Sequence, residues 1–245
     1  MRTMTENLGT HNRVSALNFS GSLVDAAFVQ NVRDYRIEGR AIVVNPGLSA
    51  TAMGRSPRRW IPPLSSTILR DTQIERARSL IVLRASEDGE IGAIIAQPGW
   101  KPLGELLGDG SFPADTPLWK SPQDEVGSVV FAPNVVLRQA EVGPERLFRI
   151  KVNLWFAPAG TDCLIHNLHD FMEVHTQVSG RGRMQKFVEQ DYRTLYEDLL
   201  MSPGYTTPEP FCTARSDGSF AYPWHQYHAD TDCVWLAIEY HAQTD

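Results

Sequence analysis

His166-Asn167-Leu168-His169-Asp170-Phe171-Met172-Glu173-Val174-His175, closed by Gly180, is the stretch on which the reading of this chain turns. It sets three histidines and a glutamate within ten residues. Residues 171–179 have strand chemistry with a period of two. Met172, Val174, Thr176 and Val178 fall on one face, and Glu173, His175 and Gln177 on the other. A strand that is apolar on one side and polar on the other needs a reason for its polar side. If that side turns inward, imidazole nitrogens and a carboxylate meet in a cavity, and a divalent metal is the natural way to satisfy them.

Strands surround this stretch. Residues 147–156 alternate Phe148, Ile150, Val152, Leu154 and Phe156 with Arg149, Lys151, Asn153 and Trp155. The turn Ala157-Pro158-Ala159-Gly160 leads into the histidine cluster. Gly180-Arg181-Gly182 turns into a return strand over 183–188. Residues 192–201 support either a helix (Leu195, Leu199) or a strand (Thr194, Tyr196), and Pro203-Gly204 ends that element. The last strand, 231–241, sets Asp232, Val234, Leu236, Ile238 and Tyr240 opposite Cys233, Trp235, Ala237, Glu239 and His241.

The N-terminal half reads less cleanly. Leu23, Ala27 and Val32, capped by Ser22, predict a helix over 22–35. Residues 41–45 predict a short strand before the Pro46-Gly47 turn. Residues 48–78, broken by Pro57, Pro62 and Pro63, predict loops with a short helix over 71–78. Strands over 79–84 and 91–96 flank a Glu87-Asp88-Gly89 hairpin turn. Residues 98–124 read as a long surface excursion, which in a compact domain is functional or covers something. Pro133 makes 128–137 a kinked or edge strand. Many short strands with Gly/Pro turns predict an all-β sandwich or barrel over 125–245. Residues 1–124 form a β-containing N-terminal extension packed on it, with few short helices.

Composition narrows the function. With 42% hydrophobic residues the chain can bury a sizeable core, and its net charge of −6 leaves no basic surplus for phosphate backbones, so nucleic acid is not an expected partner. The basic run Arg55-Ser56-Pro57-Arg58-Arg59 reads as a solvated loop. Cys163, Cys212 and Cys233 are sparse and odd in number, which fits buried thiols in a reducing compartment. The polar N-terminus has no apolar signal segment, and no apolar run reaches the length of a membrane span. The expectation is a cytoplasmic protein without membrane partners.

The histidine stretch resembles the first motif of the cupin superfamily of metal-binding β-barrels. Gly160 precedes His166 by six residues, three residues separate His169 from Glu173, and Gly180 follows Glu173 by seven. The family's His-x-His pair departs here, since two residues separate His166 from His169. Gly204 and Pro210 match the start of the second motif. Cys212 and Arg215 stand where that motif has Gly and His, and the next histidine is His225. The fold implied is a cupin-like double-stranded β-helix, or jelly roll, holding a metal.

The expected ligand set is His169, Glu173, His175 and His225. Glu173 and His175 share a strand face, His169 sits just before it where a turn can bring it back, and His225 comes from a distant strand that a barrel places alongside. Three nitrogens and one oxygen suit Fe, Mn, Ni, Co or Zn, with Zn or Fe expected. His166 and His228 are alternates or supporting groups. Gln177, Gln185 and Tyr227 are candidate substrate contacts. Arg183 and Lys186 are candidate holders of a substrate carboxylate, and Trp224 and Trp235 are candidate pocket walls. No catalytic residue is assigned.

Three functions fit. The run Glu173–Phe187, with Pro223-Trp224-His225-Gln226-Tyr227 and residues 229–239, is similar to the cupin part of hydrazine-forming enzymes of natural-product biosynthesis. That resemblance implies a zinc site that rearranges an amino-acid ester of an N-hydroxylated amine into an N–N bond. The substrate is then a small molecule, and a separate synthetase-type protein supplies the ester, because this chain has no nucleotide-binding signature. The alternatives are a non-haem iron dioxygenase and a non-catalytic ligand-binding cupin. A homodimer is compatible with each.

Overall fold

The computed structural model describes residues 10–53, 59–86, 90–108, 110, 112–141, 143–207 and 210–243. Most of the basic run (Arg55–Arg58) and the expected Glu87-Asp88-Gly89 turn lie outside these residues.

In the first half, β1 (Arg13–Ala16), β2 (Val24–Asn45), β3 (Thr51–Met53), β4 (Arg59–Ile61) and β5 (Ser65–Ala85) make an antiparallel sheet in the order β1-β2-β5-β3-β4. The helix expected over 22–35 is strand here. Val24, Ala26 and Phe28 are buried while Asp25 is exposed, a period of two that helical spacing of Leu23, Ala27 and Val32 concealed. The helix expected over 71–78 is likewise part of β5, where Ile74 faces Tyr35. In both segments pairing along the two long strands overrides weak local propensity.

The apolar run Ile91–Ala96, expected as a strand, is a 3-10 helix that buries Ile94. A short apolar run does not distinguish the two by pattern. The excursion over 98–124 holds β6 (Lys101–Pro102), a helical turn α1 (Leu103–Leu107) and β7 (Trp119–Lys120), and buries Trp100, Phe112 and Leu118.

A second sheet is built on β8 (Asp124–Phe131), β9 (Arg146–Ala157), β10 (Met172–Ser179) and the last strand. Pro133 ends β8 by opening α2 (Pro133–Val136), and among the described residues β8 pairs with β9 alone, as an edge strand would. A third sheet holds β11 (Gly182–Phe187), β12 (Leu195–Met201) and, further on, β15. The ambiguous 192–201 segment resolves into a 3-10 turn, Tyr192–Thr194, followed by β12. A small ribbon of β13 (Thr213–Ala214) and β14 (Phe220–Ala221) precedes β15 (Trp224–Ala229) and β16 (Cys233–Ala242). The second sheet runs β10-β16-β9-β7-β6, so β6 and β7 join it from before residue 125. The expected all-β architecture is present, with few short helices; among the described residues the sheets face one another without closing into one continuous barrel.

Both faces of the second sheet are covered. Met172, Val174, Ile150, Val152, Leu236, Ile238 and Tyr240 share a core with Phe28, Ile42, Val44, Ile81 and Leu83 of the first sheet. Fully burying such side chains contributes about 1.5–3 kcal/mol each. A hydroxyl chain reinforces the contact: Ser66 Oγ lies 2.6 Å from Thr206 Oγ1, which lies 2.7 Å from Thr176 Oγ1 on β10.

The turn after β10 depends on Gly180, whose φ is 76°. A Cβ there would collide with the Asp232 carbonyl oxygen. Gly39 has φ 64° with open space around it. Gly39→Ala is therefore expected to cost only left-handed strain, about 1 kcal/mol, and Gly180→Ala more than about 2 kcal/mol. Urea unfolding of both variants measures this, and equal losses would contradict the packing described.

Candidate metal centre

Pairing places the inward row of β10 against that of β16. Glu173 faces Glu239, His175 faces Ala237 and Gln177 faces Trp235. From β16 the rows continue onto β9, where Glu239 faces Lys151, Ala237 faces Asn153 and Trp235 faces Trp155. The third sheet contributes His225 and Tyr227 of β15. Together with the 98–124 segment these elements enclose a cavity of about 560 Å³.

His166 reaches His225 through the backbone. The two residues exchange N–H···O bonds of 3.0 and 2.9 Å as an isolated antiparallel bridge. Their rings then lie 4.4 Å apart. The His169 Nε2 atom sits 3.0 Å from His166 Nε2 and 3.1 Å from His225 Nε2. The three nitrogens all lie within 4.8 Å of one another.

Tautomer chemistry makes this arrangement informative. His166 Nδ1 is 3.0 Å from the Leu164 carbonyl oxygen, and His225 Nδ1 is 2.9 Å from that of Pro223. A carbonyl only accepts, so each Nδ1 carries the proton and each neutral ring turns a bare Nε2 lone pair inward. His169 has at most one Nε2 proton to share between the two. Burial, first of all, keeps the rings neutral. It lowers the pKa of His166, takes that of His225 well below the usual value, and with the neighbouring histidines brings His169 to about 3. Converging nitrogen lone pairs repel unless a cation takes them, so this donor set fits one divalent transition metal.

Glu173 borders the group, with Oε1 3.6 Å from His169 Nε2 and Oε2 3.8 Å from His175 Nε2. Burial, with the facing Glu239, raises its pKa to about 8 in the absence of metal. Glu239 goes the other way. Burial opposes its ionisation, but His241 at 2.8 Å, Lys120 at 3.6 Å and Asn153 Nδ2 at 2.7 Å hold its pKa near 2.

Of the expected ligands, the structure brings His169 and His225 together, with Glu173 beside them. His166, an alternate in the sequence reading, completes the trio. His175 lines the cavity on the far side of Glu173, its ring centroid 4.4 Å from that of Tyr227. The other alternate, His228, bonds Asp162 at 2.8 Å and is not a cavity residue.

Among the expected substrate contacts, Tyr227 lines the cavity. Gln177 donates to the Ser179 carbonyl at 2.6 Å, and Gln185 accepts from Gln226 at 2.9 Å; neither reaches the cavity. Arg183 is taken up by Asp198 and Asp230, and Lys186 by Glu197. Trp235 is a wall of the cavity and Trp224 is not. Sequence reasoning missed Lys120, Trp155, Glu239 and His241 as cavity residues. For Glu239 and His241 the signal was present in the alternation of the last strand; for Lys120 there was none.

No family model matches the chain, and no curated protein does. Among solved structures, similarities include a cupin superfamily protein from Desulfitobacterium hafniense, at 12% identity over 48% of this chain and 81% of that one, TM-score 0.28. A cupin 2 conserved barrel domain protein from Leptotrichia buccalis is similar at 10% identity over 94% and 90%, TM-score 0.27. A mutant of Bacillus subtilis oxalate decarboxylase is similar at 12% identity over 96% and 76%, TM-score 0.28. Likeness this remote says nothing of chemistry. The chain is a mostly-β protein with three histidines able to hold a metal ion, and no helix among the described residues is long and apolar enough to cross a membrane.

His166→Ala, His169→Ala and His225→Ala are each expected to remove stoichiometric metal, while His175→Ala retains it. Elemental analysis of protein purified without added metal checks this, and metal lost from His175→Ala but kept by His166→Ala would restore the sequence-derived set. Acid should also weaken the chelated protein. His166, His169, His175 and His225 all have pKa values lowered by folding, those of His169 and His175 to about 3, so the unfolded chain binds more protons below its imidazole pKa near 6.5. Stability is then lost as pH falls through that value. Glu173 acts oppositely, with a pKa raised to about 8, but it is one group against four. A urea midpoint that is lower at pH 5 than at pH 7 in chelator is expected; a higher one would contradict the neutral-histidine arrangement.

Proposed function

We propose that this protein is a metal-dependent enzyme acting on a small polar metabolite bound in the cavity beside His166, His169, His225 and Glu173. The observation that carries the proposal is the meeting of two carbonyl-fixed imidazoles and a third at 3.0 and 3.1 Å on one side of a cavity large enough for a metabolite. A divalent metal there would supply Lewis acidity toward a carbonyl or ester oxygen. Zinc and iron are the metals we favour.

The protein's own residues supply the rest. Glu173 is the carboxylate next to the histidines and completes a donor set of three nitrogens and one oxygen. Leu103, Leu118, Trp155 and Trp235 exclude water from the bound molecule. Glu239, held ionised by His241, Lys120 and Asn153, offers an acceptor for a substrate ammonium or hydroxyl group.

The specific reaction proposed is rearrangement of an amino-acid ester of an N-hydroxylated amine, a reading that rests on the sequence resemblance. In that reaction the α-amine lone pair forms the N–N bond, the N–O bond breaks, the carboxylate leaves with the electron pair, and the amine loses a proton. Substrate and product are isomers, so no oxidant is consumed. A separate synthetase-type partner would deliver the ester.

Incubating the zinc-loaded protein with a synthetic ester of this type should give a product of identical mass containing an N–N bond, with no oxygen uptake. Oxygen consumption dependent on iron would favour the dioxygenase alternative instead. Protein that binds no divalent metal at all would overturn the proposal.

A further inference from the structure

We propose that Glu239 and His241 form a general base in the cavity wall, in which the carboxylate orients the imidazole and the imidazole Nδ1 takes a proton from the bound metabolite. This deepens the reading of the cavity as a substrate site and rests on it. Both residues belong to β16 and line the cavity. His241 Nε2 lies 2.8 Å from Glu239 Oε2.

The neighbours of the pair fix where its proton sits. Glu239 stays ionised against its burial because His241 bonds it, Lys120 stands 3.6 Å from Oε1, and Asn153 donates to Oε1 at 2.7 Å. An ionised carboxylate only accepts, so Nε2 of a neutral His241 carries the ring proton and Nδ1 keeps its lone pair. Among the described residues no group bonds that Nδ1, and, unlike Nδ1 of His175, it is not sealed from solvent. The Phe171 ring packs against both His241 and His169, with centroids 4.5 and 5.4 Å away, so one aromatic side chain links the base to the histidine trio.

Exposure distinguishes this pair from an ordinary surface ion pair. The Glu239 side chain is 4% exposed and that of His241 24%. A surface pair stabilises little, and a buried carboxylate is costlier than hydrocarbon in its place. A sealed carboxylate behind an imidazole that solvent reaches is instead the arrangement that fixes a tautomer and steadies the imidazolium formed when the base works. The other charged groups at this wall are Lys151 and Glu173, each opposite Glu239 in the strand register. Arg149, opposite His241, is paired with Glu125.

In the rearrangement proposed above, the α-amine nitrogen bonds the hydroxylated nitrogen, the N–O bond breaks, and the carboxylate leaves with its electron pair. The proton shed by the amine passes to Nδ1, directly or through one water. The imidazolium is balanced by Glu239 and returns the proton to solvent. The same pair serves any metabolite whose amine or hydroxyl group must lose a proton.

The test reads the imidazole signals of ¹⁵N-labelled, chelated protein, assigned through His241→Gln. Wild type is expected to carry the His241 proton on Nε2. In Glu239→Gln, Lys120 and Asn153 keep the amide oxygen on their side, so the amide NH₂ donates to Nε2 and the ring proton moves to Nδ1. At fixed pH the wild-type Nδ1 signal should shift saturably with glycinamide, which carries an α-amine, and not with acetamide. In zinc-loaded protein, His241→Gln and Glu239→Gln should each lose about 10²–10⁴-fold in kcat on the synthetic ester, with metal content and KM kept. A wild type inert toward the ester that still shows the expected tautomers and the glycinamide shift defeats the proposed reaction and upholds the base. The base is overturned if wild type carries the proton on Nδ1, if Glu239→Gln does not move it, if glycinamide leaves the signal in place, or if His241→Gln matches an active wild type.

Discussion

Burial of one sheet on both faces is the constraint from which the rest of this structure follows. The strands β9, β16 and β10 have an outer row of hydrocarbon and an inner row of charged and aromatic side chains. The outer row needs a cover, which the long β2–β5 hairpin provides. The inner row needs counter-charges and hydrogen-bond partners, because solvent is largely excluded from it. Lys120, His241 and Asn153 answer Glu239. Glu173 and the inward Nε2 atoms of the three histidines have no comparable set of partners among the described residues.

This division explains what the amino-acid order disclosed. The period of two in residues 147–156 and 171–179 survives into β9 and β10 almost residue for residue, because each alternation is enforced by a different environment on each side. The same logic made Glu173 and His175 inward-facing. It could not say which histidine meets which. His166 joins the trio through a backbone bridge to His225, a pairing between segments about sixty residues apart that no local spacing encodes. The motif resemblance, with its two-residue gap between His166 and His169, left that choice open.

The N-terminal half was the least legible region for a related reason. Its long strands carry charged residues at many exposed positions, and residues 41–45 and 80–83, in the part that packs on the second sheet, are buried on both faces and so do not alternate. Weak helical spacing in 22–35 therefore competed with strand pairing that spans most of both strands. The 98–124 segment had no pattern at all, yet it supplies Leu103, Phe112, Leu118 and Lys120 to the cavity. Its role comes from where β7 docks on β9, which is a tertiary fact.

The hydroxyl chain from Ser66 through Thr206 to Thr176 has a wider meaning. It fastens the first half of the molecule to the back of the strand that carries Glu173 and His175, so neither half is a removable module. Cut away from its partner, the second half would bring a broad oily sheet surface into water and adhere to whatever else offered one. Recombining these facing sheets with other proteins, in evolution or in the laboratory, requires that the covering hairpin travel with them.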